Sequence, residues 1–120
     1  DVATGKQSRE LVDEMHLILH QQLPIDDIRT CFHLAGDNCN CRKPKPGMLL
    51  ESADAHGIDL GKSFMVGDRA GDIGAGQAVG CFSIFVDRDY AEPPPENANG
   101  TVRSLAESCE LILSVSRAST

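Results

Sequence analysis

The chain has 120 residues, 41% of them apolar, and 11 Lys+Arg against 18 Asp+Glu give a formal net charge of −7. That length suits one domain with a real core, and the acidic balance argues against nucleic acid, since no basic face can displace phosphate counterions. The longest apolar run, residues 81–86, is far too short for a membrane span, and residues 1–6 lack the basic-then-apolar layout of an export signal.

Leu11, Met15, Ile18 and Leu19 fall at i, i+4, i+7 and i+8. They predict an amphipathic helix over 8–22, with Ser8 as N-cap and Pro24 as its stop. Residues 28–31 read as a short strand. Pro46 suits the first turn of a second helix that ends at Gly57. Residues 63–66 read as a strand, 71–79 as a helix closing on Gly80, and 82–86 as a buried strand. Asp87-Arg88-Asp89 is read as a strand-end turn, residues 92–100 as a surface connector and 101–102 as a last short strand. A final helix follows Ser104, with Leu105, Leu111, Ile112 and Val115 as its inner face. Strands alternating with helices predict an α/β fold: one domain over 1–120, a three-layer, doubly wound, Rossmann-like parallel sheet covered by helices on both faces.

The five cysteines are at 31, 39, 41, 81 and 109. An odd count with three clustered points to a reducing compartment, hence the cytoplasm, rather than a disulfide framework. Cys81 and Cys109 are expected to be small buried apolar residues. Cys31-x-His33 and Cys39-x-Cys41 each place two side chains on one side of an extended backbone. A loop with Gly36, Asp37 and Asn38 can fold the pairs together. Three sulfurs and an imidazole complete a closed tetrahedral zinc shell, a structural clamp over 31–41. The alternative is chance cysteines near a turn.

Arg42-Lys43-Pro44-Lys45-Pro46 is a stiff cationic run before a helix N-terminus, suited to a phosphate group or simply a solvated loop. Gly67-Asp68 ends a strand, where open parallel sheets bind ligands, and Asp68 is a hard oxygen donor suited to Mg²⁺. Asp72, four residues on, either caps helix amides or serves the site. The remaining histidines, His16, His20 and His56, are read as exposed or packing residues.

Cys31-x-His33…Cys39-x-Cys41-Arg42-Lys43-Pro44-Lys45-Pro46-Gly47-Met48 with Gly67-Asp68-Arg69…Asp72 resembles the haloacid dehalogenase-like phosphatases. The resemblance is to their zinc-loop branch, whose members act on a heptose bisphosphate or on histidinol phosphate; Pro46-Gly47-Met48 is more similar to the heptose side. The resemblance implies an aspartate nucleophile that forms an aspartyl-phosphate, with Mg²⁺ held partly by Asp68. It makes Lys43 the catalytic cation that holds phosphoryl group and nucleophile together, and Arg42 and Arg69 substrate-binding residues. Asp72 supports the site, and Cys31, His33, Cys39 and Cys41 match the zinc ligands.

The family's Asp-x-Asp nucleophile motif and its following Thr/Ser motif precede everything seen here. Residues 1–6 resemble the loop just after them, so the nucleophile is expected upstream of this chain. Asp87 and Asp89 have the Asp-x-Asp form but the wrong place in the order. The expected ligand is therefore a small sugar phosphate, with Mg²⁺ and Zn²⁺ as cofactors. The other expectation is a non-catalytic zinc-stabilised module that binds phosphorylated ligands or a partner chain. A monomeric whole protein is expected, while bare sheet edges would drive this shorter chain to self-associate.

Overall fold

In the computed structural model the described residues are 9–29 and 45–118. In chain order they form α1 (Arg9–Gln22), α2 (Gly47–His56), a short 3₁₀ turn (Leu60–Lys62), β1 (Phe64–Gly67), α3 (Ala70–Ala78), β2 (Phe82–Val86), β3 (Gly100–Val102) and α4 (Leu105–Ala118). Among the described residues the strands form one parallel sheet in the order β1-β2-β3.

Register decides which side chains share a face. Phe64 lies beside Phe82, Val66 beside Ile84 and Val86 beside Val102. These residues point to one side, where Ile84, Val86 and Val102 are buried and Leu111 and Ile112 of α4 pack on them. Phe64 and Phe82 meet edge to face with ring centroids 5.6 Å apart, an arrangement that adds to simple area burial.

Met65 and Ser83 pair on the opposite side, and α3 closes it. A Cβ at Gly76 would stand 2.5 Å from Ser83 Oγ and 2.7 Å from Met65 Cβ, so only glycine lets α3 approach the sheet this closely. α3 and α4 therefore lie on opposite faces, and the expected three-layer arrangement is present.

The return to β3 is pinned to β2 by Asn99. Its side-chain oxygen accepts from the Ser83 N–H at 2.7 Å, and its own N–H donates to the Ser83 carbonyl at 2.8 Å. Residues 92–100 are thus a connector tied down at its end. Asp27, ahead of α2, accepts from Arg29 at 3.0 Å and is bonded to His56 Nε2 at 2.8 Å. Those bonds, to His56 first, hold its carboxyl below the usual aspartate range.

Four expectations need correction. Ile28 and Arg29 are not in a strand; the rest of that segment lies outside the described residues. The apolar stripe of α1 is present but not inward: Leu11, Met15 and Ile18 are 46%, 50% and 47% exposed, and α1 buries no residue. Among the described residues the extensive helix-on-sheet packing belongs to α3 and α4. Leu105 is exposed because it opens α4 beyond the strand ends, overhanging a cavity rather than the core. Cys109 is exposed because its neighbour Ser108 occupies the inward position of that turn, whereas Cys81 is buried as expected, which pushes its thiol pKa up.

The core assignment makes a direct comparison available. Ile84→Ala should lower unfolding free energy by about 2–5 kcal/mol, through lost transfer energy and a cavity. Leu105→Ala should change it by no more than about 0.5 kcal/mol. Urea unfolding followed by circular dichroism measures both.

Candidate active site

β1 ends at Gly67, and the next three residues turn the chain into α3. Arg69 keeps an extended backbone, φ −128° and ψ 150°, as the residue before the helix. Its N–H donates to Asp72 Oδ2 at 3.1 Å, which satisfies a donor that a helix start otherwise leaves open. Arginine has no acceptor to return the bond, so the carboxylate alone makes this cap.

Asp72 is 4% exposed. It is held at the positive end of α3, where helix dipole and amides favour a carboxylate. It leans over Gly67 so closely that a Cβ there would fall 2.6 Å from Asp72 Cγ. The sequence left Asp72 open between cap and site residue; the geometry makes it the brace of the turn that carries Asp68.

Asp68 is half-buried at the carboxyl end of β1. It lines a cavity of about 380 Å³ together with Val66, Val86, Arg88, Tyr90 and Leu105. Tyr90 Oη donates to Asp68 Oδ2 at 2.8 Å. The Arg69 guanidinium lies over the Tyr90 ring, its Cζ 4.0 Å from the centroid, and donates to Glu92 Oε2 at 3.0 Å. The bond to Asp68 pushes the Tyr90 phenol pKa up, and the bond to Glu92 raises that of Arg69. Both groups therefore keep their protons at neutral pH.

The loop that carries Tyr90 starts from a fixed base. Asp89 takes φ +58°, and its N–H donates to Asp87 Oδ1 at 3.0 Å, closing a side-chain turn. Arg103 reaches Asp89 Oδ2 at 2.8 Å and Asp87 Oδ2 at 3.3 Å. Asp87 and Asp89 are thus occupied by an arginine, in keeping with a strand-end turn.

Of the expected site residues, the structure brings together Asp68, Arg69 and Asp72. Arg42, Lys43 and the zinc set Cys31, His33, Cys39 and Cys41 lie outside the described residues. Among the described residues no three His, Cys, Asp or Glu side chains cluster as a metal cage. One carboxylate opening on a cavity of this size still fits Mg²⁺, which keeps several waters and takes one or two carboxylates plus phosphate oxygens. Sequence reasoning missed Tyr90, Glu92 and Arg103. Their positions in and beyond an irregular connector carry no periodic signal, and only Tyr90, as the chain's one tyrosine, stands out at all.

Comparison with known proteins gives a consistent result. A family model described as HAD-hydrolase-like matches residues 40–108. A D-glycero-beta-D-manno-heptose-1,7-bisphosphate 7-phosphatase of Pseudomonas aeruginosa is 35% identical over 105 residues, covering 79% of this chain and 59% of the relative. The enzyme of that name from Helicobacter pylori is 48% identical over 75 residues, 61% of this chain and 43% of its own length. A crystal structure of D,D-heptose 1,7-bisphosphate phosphatase from B. bronchiseptica, complexed with magnesium and phosphate, superposes with a TM-score of 0.71 at 31% identity, covering 88% of this chain and 62% of that one. The chain spans about three-fifths of the length of the first of these relatives.

The brace predicts a steric outcome. Gly67→Ala must displace the Asp72 carboxylate and with it the cap on Arg69, at a cost of about 1–3 kcal/mol. Chemical denaturation should show the loss, and tyrosine emission should change because Asp68 moves relative to Tyr90.

Proposed function

The chain belongs to the HAD-hydrolase-like family, and from that membership we propose that it is the metal-binding and phosphate-binding portion of a sugar-phosphate phosphatase. The substrate most in keeping with its relatives is D-glycero-D-manno-heptose 1,7-bisphosphate, cleaved at the 7-phosphate. The observation that carries this reading is Asp68: a hard carboxylate on a braced turn, at the carboxyl end of a parallel strand, facing a cavity. The same relatives favour the heptose bisphosphate over histidinol phosphate.

When bound at Asp68, Mg²⁺ supplies positive charge to the phosphoryl oxygens. The other roles fall to the protein's own groups. Asp72 holds the turn and so the carboxylate. Arg69, tethered by Glu92 and Tyr90, offers its guanidinium to the substrate side. Lys43, in the Cys41-Arg42-Lys43-Pro44 sequence, would neutralise charge between phosphoryl group and nucleophile, and Arg42 would contact the substrate. Cys31, His33, Cys39 and Cys41 would hold a structural zinc that shapes this loop, a donor set with no open position for water. The nucleophilic aspartate belongs to a motif that precedes these residues in the family. The thiol cluster suits the cytoplasm.

Phosphate release by the whole protein is the test. We expect Mg²⁺-dependent release from the heptose bisphosphate, faster than from histidinol phosphate, and stopped by chelation. Asp68→Asn should lower kcat by about a hundredfold or more. Elemental analysis should find about one zinc per chain, lost in Cys39→Ser. Equal turnover of wild type and Asp68→Asn would remove the metal role of Asp68.

A further inference from the structure

Tyr90 touches both groups assigned to the site on β1. Its hydroxyl is bonded to Asp68 Oδ2, and its ring face carries the Arg69 guanidinium 4.0 Å above the centroid. The same arginine is held from its far side by Glu92 at 3.0 Å. One side chain from the loop after β2 therefore bridges two consecutive residues after β1.

The bridge is built on a rigid mount. Asp87 and Asp89 form a closed turn under Arg103 immediately before Tyr90. Farther along, Asn97 accepts from the Gln77 side chain and Asn99 is paired with Ser83. A loop tied at both ends can hold a phenol in register with a strand end. A free loop would lose the contact to side-chain and backbone entropy.

We propose that Tyr90 is a positioning residue of the phosphoryl site, orienting the Asp68 carboxylate through its hydroxyl and the Arg69 guanidinium through its ring. The proposal rests on the phosphatase reading and goes beyond it by assigning a residue from the connector. With Oδ2 accepting from Tyr90 the carboxylate is oriented, and lone pairs remain on it for a cation. Carboxylates that ligate metals are themselves commonly fixed by an outer hydrogen bond, and losing such a bond typically costs 10–100-fold in affinity or activity. The ring does different work. A guanidinium stacked on an aromatic face loses mobility while its N–H edge remains available to an anion.

Two substitutions separate the roles, because phenylalanine keeps the ring and removes only the hydroxyl. Tyr90→Phe should weaken Mg²⁺ about tenfold or more, read directly by calorimetric titration of the protein, while KM for the sugar phosphate stays near wild type. Tyr90→Ala should weaken Mg²⁺ by the same factor and raise KM as well. The contact itself has an optical signature, read as the part of the tyrosine emission that Tyr90→Phe removes. That emission, quenched by the bond to a carboxylate, should rise in Asp68→Asn.

The outcomes divide cleanly. Wild-type Mg²⁺ affinity in Tyr90→Phe overturns the hydroxyl's role and leaves the phosphatase reading standing. A KM in Tyr90→Ala no different from that of Tyr90→Phe overturns the ring's role. Unchanged emission in Asp68→Asn overturns the contact on which both depend. A wild-type protein that binds no Mg²⁺ overturns the metal site together with the positioning assigned to Tyr90.

Discussion

A buried carboxylate sitting on a glycine holds the site together. Asp72 accepts the Arg69 N–H from inside the first turn of α3 and fills the space where a side chain at 67 would be. The chain leaves β1 in only a few residues, with no room for slack. Were Asp72 to move, the cap would open, Arg69 would lose its extended backbone, and Asp68 between them would have no defined direction. A helix start normally needs a short polar side chain just before it. Here that position belongs to an arginine, whose side chain is wanted elsewhere, and the helix is capped from within.

The second constraint is how the two helices reach the sheet. α3 buries Ile73 and Ala75, and the small residue Gly76 lets it approach β1 and β2 closely. α4 covers the Ile84 face. The result puts α3, and therefore the Gly67–Asp72 turn, in tight register with the strand ends, while α4 packs Leu111 and Ile112 on the other face. The closely approached layer is the one that carries the turn proposed to bind the metal.

The residues differ in how far their roles could be read from the chain alone. β2 announces itself because Phe82, Ile84, Phe85 and Val86 form an apolar run interrupted only by the small Ser83, and such runs are buried on both faces. α3 is legible from its two ends, the Gly67-Asp68 strand end before it and Gly80 after it. The α1 stripe misled on burial: periodicity says that a helix has an apolar face, and only tertiary structure says what meets it. Leu105 misled for the same reason, being in phase with the inner face of α4 but one turn past the sheet. Asp68 could be found because strand-end position and residue type coincide. Tyr90 could not, because it approaches Asp68 from 22 residues away through a connector whose path depends on Asn97, Asn99 and Arg103.

A chain of net charge −7 can face an anion where its own acids are answered locally. Near the strand ends most acidic groups have a cationic partner: Arg103 takes Asp87 and Asp89, and Arg69 takes Glu92. Pairing of this kind contributes little stability at an exposed surface. It does remove local repulsion that would otherwise meet the phosphate proposed to bind there, since unpaired like charges act across a Debye length of about 8–10 Å. Asp68, whose partner is the neutral Tyr90 hydroxyl, is an exception among these acids. A hydrogen bond from a phenol orients a carboxylate without pairing it to a cation, as the proposed metal site requires. An arginine at position 90 would hold Asp68 just as firmly but cancel the charge that a metal needs. Tyrosine supplies the orientation alone, and its ring leaves the nearby cation, Arg69, directed by stacking rather than by a second ion pair.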